Sequence, residues 1–137
     1  MIGILACAAA LAAPVRLERA WPALRFDLPV ALAFAPGDPT RAFGAEQGGR
    51  ILEFQNRPDA KHASLFLDLS DRVLRDHRES GLLNFAFHPR FRENGLLYVW
   101  YTARGHRNRL SNFRGGDLST ERILLEALHH LCRQEPG

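Results

Sequence analysis

The chain has 137 residues, enough for one ordinary domain with a real core. Hydrophobic residues make up 46% of it and charged residues 24%, close to the globular average, which excludes a disordered tail and a membrane bundle. Eighteen Lys and Arg against fifteen Asp and Glu leave a net charge of +3 with the signs interspersed, unlike the dense basic stripe of a dedicated nucleic-acid binder.

The first element in chain order is Ile2 to Ala13, an unbroken, alanine-rich apolar segment. Ala10-Leu11-Ala12 places small residues where a signal peptidase reads them, so residues 1–13 are expected to be a signal peptide and the mature chain periplasmic or secreted. The alternative is a buried or frayed N-terminal helix. Ile4-Leu5-Ala6-Cys7 also loosely resembles a lipoprotein box. With Cys7 in the removable segment, Cys132 stands alone, and neither an intrachain disulfide nor a thiolate metal cluster can form. Beyond Ala13 no apolar run approaches the roughly 20 residues that span a bilayer.

Residues 14–28 read as a lead-in, and strand signals dominate from there. One set is predicted at Val30 to Phe34, Arg41 to Ala45, Arg50 to Phe54 and Ser64 to Asp68, with Pro36-Gly37-Asp38-Pro39 and Gly48-Gly49 as the tightest turns. A second set is predicted at Leu82 to Phe87, Leu96 to Thr102, Arg109 to Arg114 and Arg122 to Glu126. It is broken by Pro89, Asn94-Gly95, Gly105 and Gly115-Gly116. Leu32-Ala33-Phe34-Ala35-Pro36 recurs as Phe85-Ala86-Phe87-His88-Pro89, each followed by a polar turn and an aromatic strand. A period of roughly 50 residues with four strands per unit is the signature of propeller blades. The alternative is an antiparallel sandwich with two similar halves. The distinction is physical, because a blade has two apolar faces and cannot bury both alone.

Gly81 to Pro89, GLLNFAFHP, and Arg90 to Thr102, RFRENGLLYVWYT, resemble the segment GLLGLAFHPxFxxNGxxYVxYT of the PQQ-dependent glucose/sorbosone dehydrogenases. Arg41 to Ile51, RAFGAEQGGRI, is similar to the family's RLFVVEQxGRI, and Phe66 to Val73, FLDLSDRV, to its FLDISDRV. Leu110 to Arg114 and Ser119 to Glu126 match two further strands, so the resemblance runs from about Pro29 to Glu126. It implies an all-β fold, the first two four-stranded blades of a six-bladed propeller over 29–126, with 127–137 as a divergent tail. It also implies a sugar substrate, oxidised by hydride transfer to PQQ beside a calcium ion. The cofactor carries the hard chemistry.

The resemblance carries little of that site onto this chain. The family's cofactor-proximal glutamine, two places before the glycine of G-L-L, falls on Glu79, the one cofactor-binding position it assigns here. A carboxylate at that place is repelled by the cofactor's own carboxylates unless a cation intervenes. Asn84 stands where the family has glycine, and its side chain either crowds the strand start or makes a local turn hydrogen bond. The family's histidine base, about eight residues past the strand ending Leu-Leu-Glu, falls on Gln134. His129 and His130 come too early, within an Ala127 to Cys132 stretch that reads as a short helix or an arbitrary tail. No catalytic residue is therefore assigned. Of the other candidates, His88 reads as a turn residue and Arg104, His106, Arg107 and Arg109 as a solvated hairpin. Asp68 and Asp71 offer too few oxygens for a calcium site and read as turn and cap residues. Two functional expectations of different class follow. One is an N-terminal piece of a sugar dehydrogenase, inactive alone. The other is an extracytoplasmic propeller module that binds carbohydrate or protein and self-associates through its open faces.

Overall fold

The computed structural model describes residues 15–128. The leader-like segment, both cysteines, His129, His130 and Gln134 lie outside the described residues. The described chain forms two four-stranded antiparallel sheets, each a meander of consecutive strands, and neither closes into a barrel. Sheet 1 holds β1 (Pro29–Ala35), β2 (Asp38–Glu46), β3 (Arg50–Gln55) and β4 (Ala63–Asp68). Sheet 2 holds β5 (Leu82–Phe87), β6 (Leu96–Ala103), β7 (Arg107–Arg114) and β8 (Asp117–Leu128). One helical turn, α1 (Phe91–Asn94), follows β5 and is stopped by Gly95 in the left-handed conformation.

All eight expected strands are present, and several are longer than expected. β2 starts at Asp38 and β8 at Asp117, because the turns before them are only Pro36-Gly37 and Gly115-Gly116. Short turns let the ladders run to the hairpin tips. Ala127 and Leu128, read from sequence as helix or tail, instead pair with Asn108 and Arg107 at the end of β8. Three hairpins and loops share one local device. Asp38, Asp68 and Asp117 each accept both the N–H and the hydroxyl of the Ser or Thr two residues on. This short polar loop satisfies backbone donors where the ladder ends.

Alternation places the core. In β1 the methyl groups of Ala31, Ala33 and Ala35 face the second sheet, and Val30, Leu32 and Phe34 face away. Phe43, Ala45, Ile51 and Leu67 of sheet 1 meet Phe85, Leu97, Val99, Tyr101 and Phe113 of sheet 2 in one buried cluster. The sheets come closest along β1 and β5. Phe43 is fully buried, and its ring meets Phe66 and Phe87 edge-on at 5.0 and 4.8 Å. A second, smaller cluster forms on the far side of sheet 1, where Trp21, Leu24 and Phe26 of the lead-in cover Ala42 and Phe54. A sandwich would seal its apolar side chains between two sheets. Here Leu32, Phe34 and Leu65 on the far face of sheet 1, and Leu125 on the far face of sheet 2, stay exposed. Those open flanks are what blades have before their neighbours arrive.

Loops also tie the two sheets together. Arg72, on the segment between them, pairs with Glu121 of β8, and the Tyr101 hydroxyl donates to the other oxygen of Glu121 at 2.5 Å. Burial opposes the charge on Glu121, but the bond from Tyr101 and the nearby Arg72 prevail and hold its carboxyl below the ordinary range. Burial, aided by the Glu121 charge, pushes the Tyr101 phenol up. At the tip of β7 and β8, Gly116 has φ +77°, and a Cβ there would lie 2.2 Å from the Phe66 carbonyl oxygen on sheet 1. Only glycine fits both constraints.

This packing can be tested at Gly116 and at Glu121. Gly116→Ala should lower the urea-unfolding free energy by about 3 kcal/mol, through backbone strain plus the clash with Phe66. Gly105→Ala, at φ +80° with nothing within 4 Å, should cost only about 1 kcal/mol; equal losses would remove the inter-sheet contact from the account. For Glu121 the folded-state value is depressed, so its stabilisation is complete above the unfolded value of 4.5 and is lost as pH falls through the folded one. Glu121→Gln should cost about 1–3 kcal/mol at pH 7 and flatten this acid limb, read from denaturation midpoints between pH 7 and 3.

Candidate functional site

Glu79 lies in the segment leading to β5, at the end of the sheets where the β2–β3 turn and the β6–β7 hairpin also lie. That end is built from the residues the sequence marked. Glu46 is buried and accepts the Asp27 N–H at 2.8 Å with one oxygen and the Arg50 guanidinium at 2.7 Å with the other. Gln47 then clamps the approach to β5. Its amide nitrogen donates to the carbonyls of Arg78 and Ser80 at 2.8 and 2.9 Å, and its main-chain carbonyl accepts the Leu82 N–H at 2.9 Å. Gly81, at φ +116°, passes so close that a Cβ would sit 2.5 Å from the Gln47 carbonyl oxygen. The E-Q-G-G-R and S-G-L-L stretches are therefore two halves of one joint between the sheets.

Glu79 rides on that joint. Its neighbours on both sides are held by Gln47, while the buried Ser80 hydroxyl accepts the N–H groups of Asp76 and His77 and donates to the His77 carbonyl. The backbone at Glu79 is thus fixed in a turn, and its side chain is exposed, with no ion pair among the described residues. Asp76 faces the imidazoles of His77 and His106 at 3.4 and 3.6 Å, linking this segment to the β6–β7 hairpin.

The remaining candidates have structural partners. His88 Nδ1 accepts from the Arg90 N–H at 3.0 Å and from the Asn94 amide at 2.9 Å, which makes it the organiser of the turn into α1. In the basic hairpin, Arg107 and Arg109 both pair with Glu126, and Arg104 donates to the Asp71 carbonyl at 2.7 Å. Asp68 closes its turn onto Ser70, whereas Asp71 contributes that carbonyl. Asn84 takes the second course expected for it, since its side-chain oxygen accepts the Phe85 N–H at 2.8 Å beside a bulge in the β5–β6 ladder. It is exposed and crowds nothing.

Sequence reasoning matched Glu46 and Gln47 to a motif without seeing their task, and it missed the Arg72, Tyr101 and Glu121 network. Only the alternation of polar residues inside otherwise apolar strands hinted at it. A cleft of about 490 Å³ between Ala35, Arg41, Phe66, Phe91 and Arg92 lies at the opposite end of the sheets from Glu79.

A cofactor with several carboxylates needs cations free to receive it. At the Glu79 end, Arg72 faces Glu121, Arg75 faces Asp27, and Arg107 and Arg109 face Glu126, whereas Arg78, beside Glu79, and Arg104 have no acidic partner among the described residues. Among the described residues no group of three or more His, Cys, Asp or Glu side chains could hold a metal ion. The described residues by themselves offer no calcium site, and the guanidinium groups at this end without a carboxylate partner are those of Arg78 and Arg104.

Comparison with known proteins gives this geometry its context. A family profile described as Glucose / Sorbosone dehydrogenase matches residues 26–137. A putative oxidoreductase (glucose dehydrogenase) of Thermus thermophilus is 29% identical, with a TM-score of 0.58 over 74% of this chain and 29% of that one. The PQQ-bound aldose sugar dehydrogenase of Streptomyces coelicolor shares the fold at 17% identity, with a TM-score of 0.60 over 77% of this chain and 32% of that one. The chain spans about a third of the length of these two solved structures. With two blade-like sheets in the family's order, and the family's motifs forming the joint between them, the chain belongs to the glucose/sorbosone dehydrogenase family.

Proposed function

We propose that the chain is the N-terminal part of a PQQ-dependent sugar dehydrogenase, working outside the cytoplasm, and that it does not turn over sugar by itself. The observation that carries this reading is the joint at Gln47 and Gly81. It holds the Glu79 turn at the start of the first strand of the second sheet, which is the position the family resemblance assigns to the cofactor. The chain's contribution is then architectural. It supplies two sheets, a rigid rim and one side chain, Glu79, aimed at solvent from a fixed backbone.

PQQ, when bound in such an enzyme, accepts the hydride, and a positioned base takes the hydroxyl proton. At that rim the imidazoles of His77 and His106 both face Asp76, and Arg78 and Arg104 have no acidic partner among the described residues; no step is assigned to them. The apolar leader supports the extracytoplasmic part of the reading, and no helix among the described residues is long and apolar enough to cross a membrane.

The test is a dye-linked assay of the purified chain with added PQQ and calcium, using glucose and other aldoses. The expected result is no turnover above the protein-free control. Glu79→Gln, which restores the family's residue type, should not rescue activity, because proton transfer and cofactor positioning are both still missing. Measurable oxidation by either protein would overturn the reading.

A further inference from the structure

The cleft at the end of the sheets opposite Glu79, about 490 Å³, has both of its walls in this chain, so it does not depend on what covers the outer faces of the sheets. Ala35, Asp38, Arg41 and Phe66 of sheet 1 form one wall, and Phe91 and Arg92, on the turn α1, form the other. Its size falls within the range of small-molecule sites, roughly 300–1,000 Å³.

Arg92 reaches across from sheet 2 to sheet 1 and donates from Nη1 to the Gly37 carbonyl at 3.1 Å. Gly37 leaves room for this, since at φ +76° a Cβ there would lie 3.0 Å from Arg92 Cδ. The guanidinium is thereby fixed by one N–H to main chain, and among the described residues no carboxylate lies within ion-pair distance of it. Arg41, by contrast, is matched. Its Nε donates to Glu53 at 2.6 Å, and its guanidinium carbon lies 5.3 Å from the centre of the Phe43 ring. Asp38 is engaged as well, with Oδ1 accepting the N–H and the hydroxyl of Thr40. The rings of Phe66 and Phe91 stand edge to face at 6.5 Å and give the cleft its apolar side.

We propose that this cleft binds a small carboxylate with a flat apolar body, its carboxylate on Arg92 and its body against Phe66 and Phe91. A guanidinium held in place, with N–H groups to spare, is a fork for a planar carboxylate. The rings offer apolar surface that such a body would take out of water. A neutral polyol fits less well, because it brings donors that need acceptors, and the carboxylate on the wall, Asp38, already accepts twice from Thr40. The same Asp38 repels a second negative charge, so the ligand is a monoanion. The site lies apart from the Glu79 rim and takes no part in the sugar-oxidising role.

The test is isothermal titration calorimetry of the purified protein with benzoate, and with benzyl alcohol and acetate as probes that lack the charge and the ring. Benzoate should bind saturably at one site per chain, and the other two roughly tenfold or more weakly. Arg92→Gln, at an exposed position, should keep the circular dichroism of the parent and lose roughly tenfold or more in benzoate affinity. Arg90→Gln removes the neighbouring guanidinium, which pairs with Glu93 and does not line the cleft, and should bind benzoate as the parent does. Arg92→Lys keeps the charge and loses the fork, and should weaken benzoate by roughly threefold or more even if the glutamine variant perturbs folding. Absence of saturable benzoate binding at millimolar concentration would overturn the proposal. Benzyl alcohol binding as tightly as benzoate, or equal losses at Arg90 and Arg92, would overturn it too. None of these readouts involves sugar turnover, so the outcome is distinct from that of the dehydrogenase assay.

Discussion

Three alanine methyl groups on β1 leave room for two phenylalanine rings on β5, and this difference in size lets the sheets approach face to face with their strands closest at one edge. Burying side chains of that size is worth roughly 1.5–3 kcal/mol each, so the interface is the main source of cohesion between the two halves. Aromatic edges extend it from Phe43 to Phe66, Phe87 and Phe91. The arrangement is directional. A sheet that offers small residues on one face and large ones on the other can stack again and again in the same sense, and two sheets leave one face of each kind exposed.

The loops make the stacking rigid. Gln47 links the first sheet to the strand entry of the second, Gly116 lets the far hairpin touch Phe66, and Arg72 anchors the connecting segment on Glu121. All three are contacts of polar or backbone groups across the junction between sheets. Their geometry tolerates little change, since glycine is required at two of the three points of closest approach. Several of the motifs shared with the glucose/sorbosone dehydrogenases map onto this junction.

Function divides along the same line. A propeller enzyme draws its reacting groups from several sheets around an axis, and one pair of sheets carries only its share. At the Glu79 end of this chain there is a fixed backbone turn with an exposed carboxylate, with Arg72, Arg75 and Arg107 matched to acidic partners and Arg78 without one among the described residues. Such a rim can frame a site without completing one.

The sequence alone determined the sheet content and the strand order, because period-two alternation and glycine turns are local signals that survive without knowledge of neighbours. It also marked the E-Q-G-G-R and G-L-L stretches as family motifs, with Glu79 beside the second, but not that the two meet. The tertiary structure decided what those residues do. Gln47 and Ser80 meet across a long stretch of chain, as do Arg72 and Glu121, and no local pattern encodes such a meeting. Ala127 and Leu128 read in isolation as a short helix or a tail, yet the edge of β7 offered them backbone partners, and pairing decided. Which faces stayed open was likewise decided only when the sheets stacked, since alternation says that a strand has two sides and packing says which one is covered.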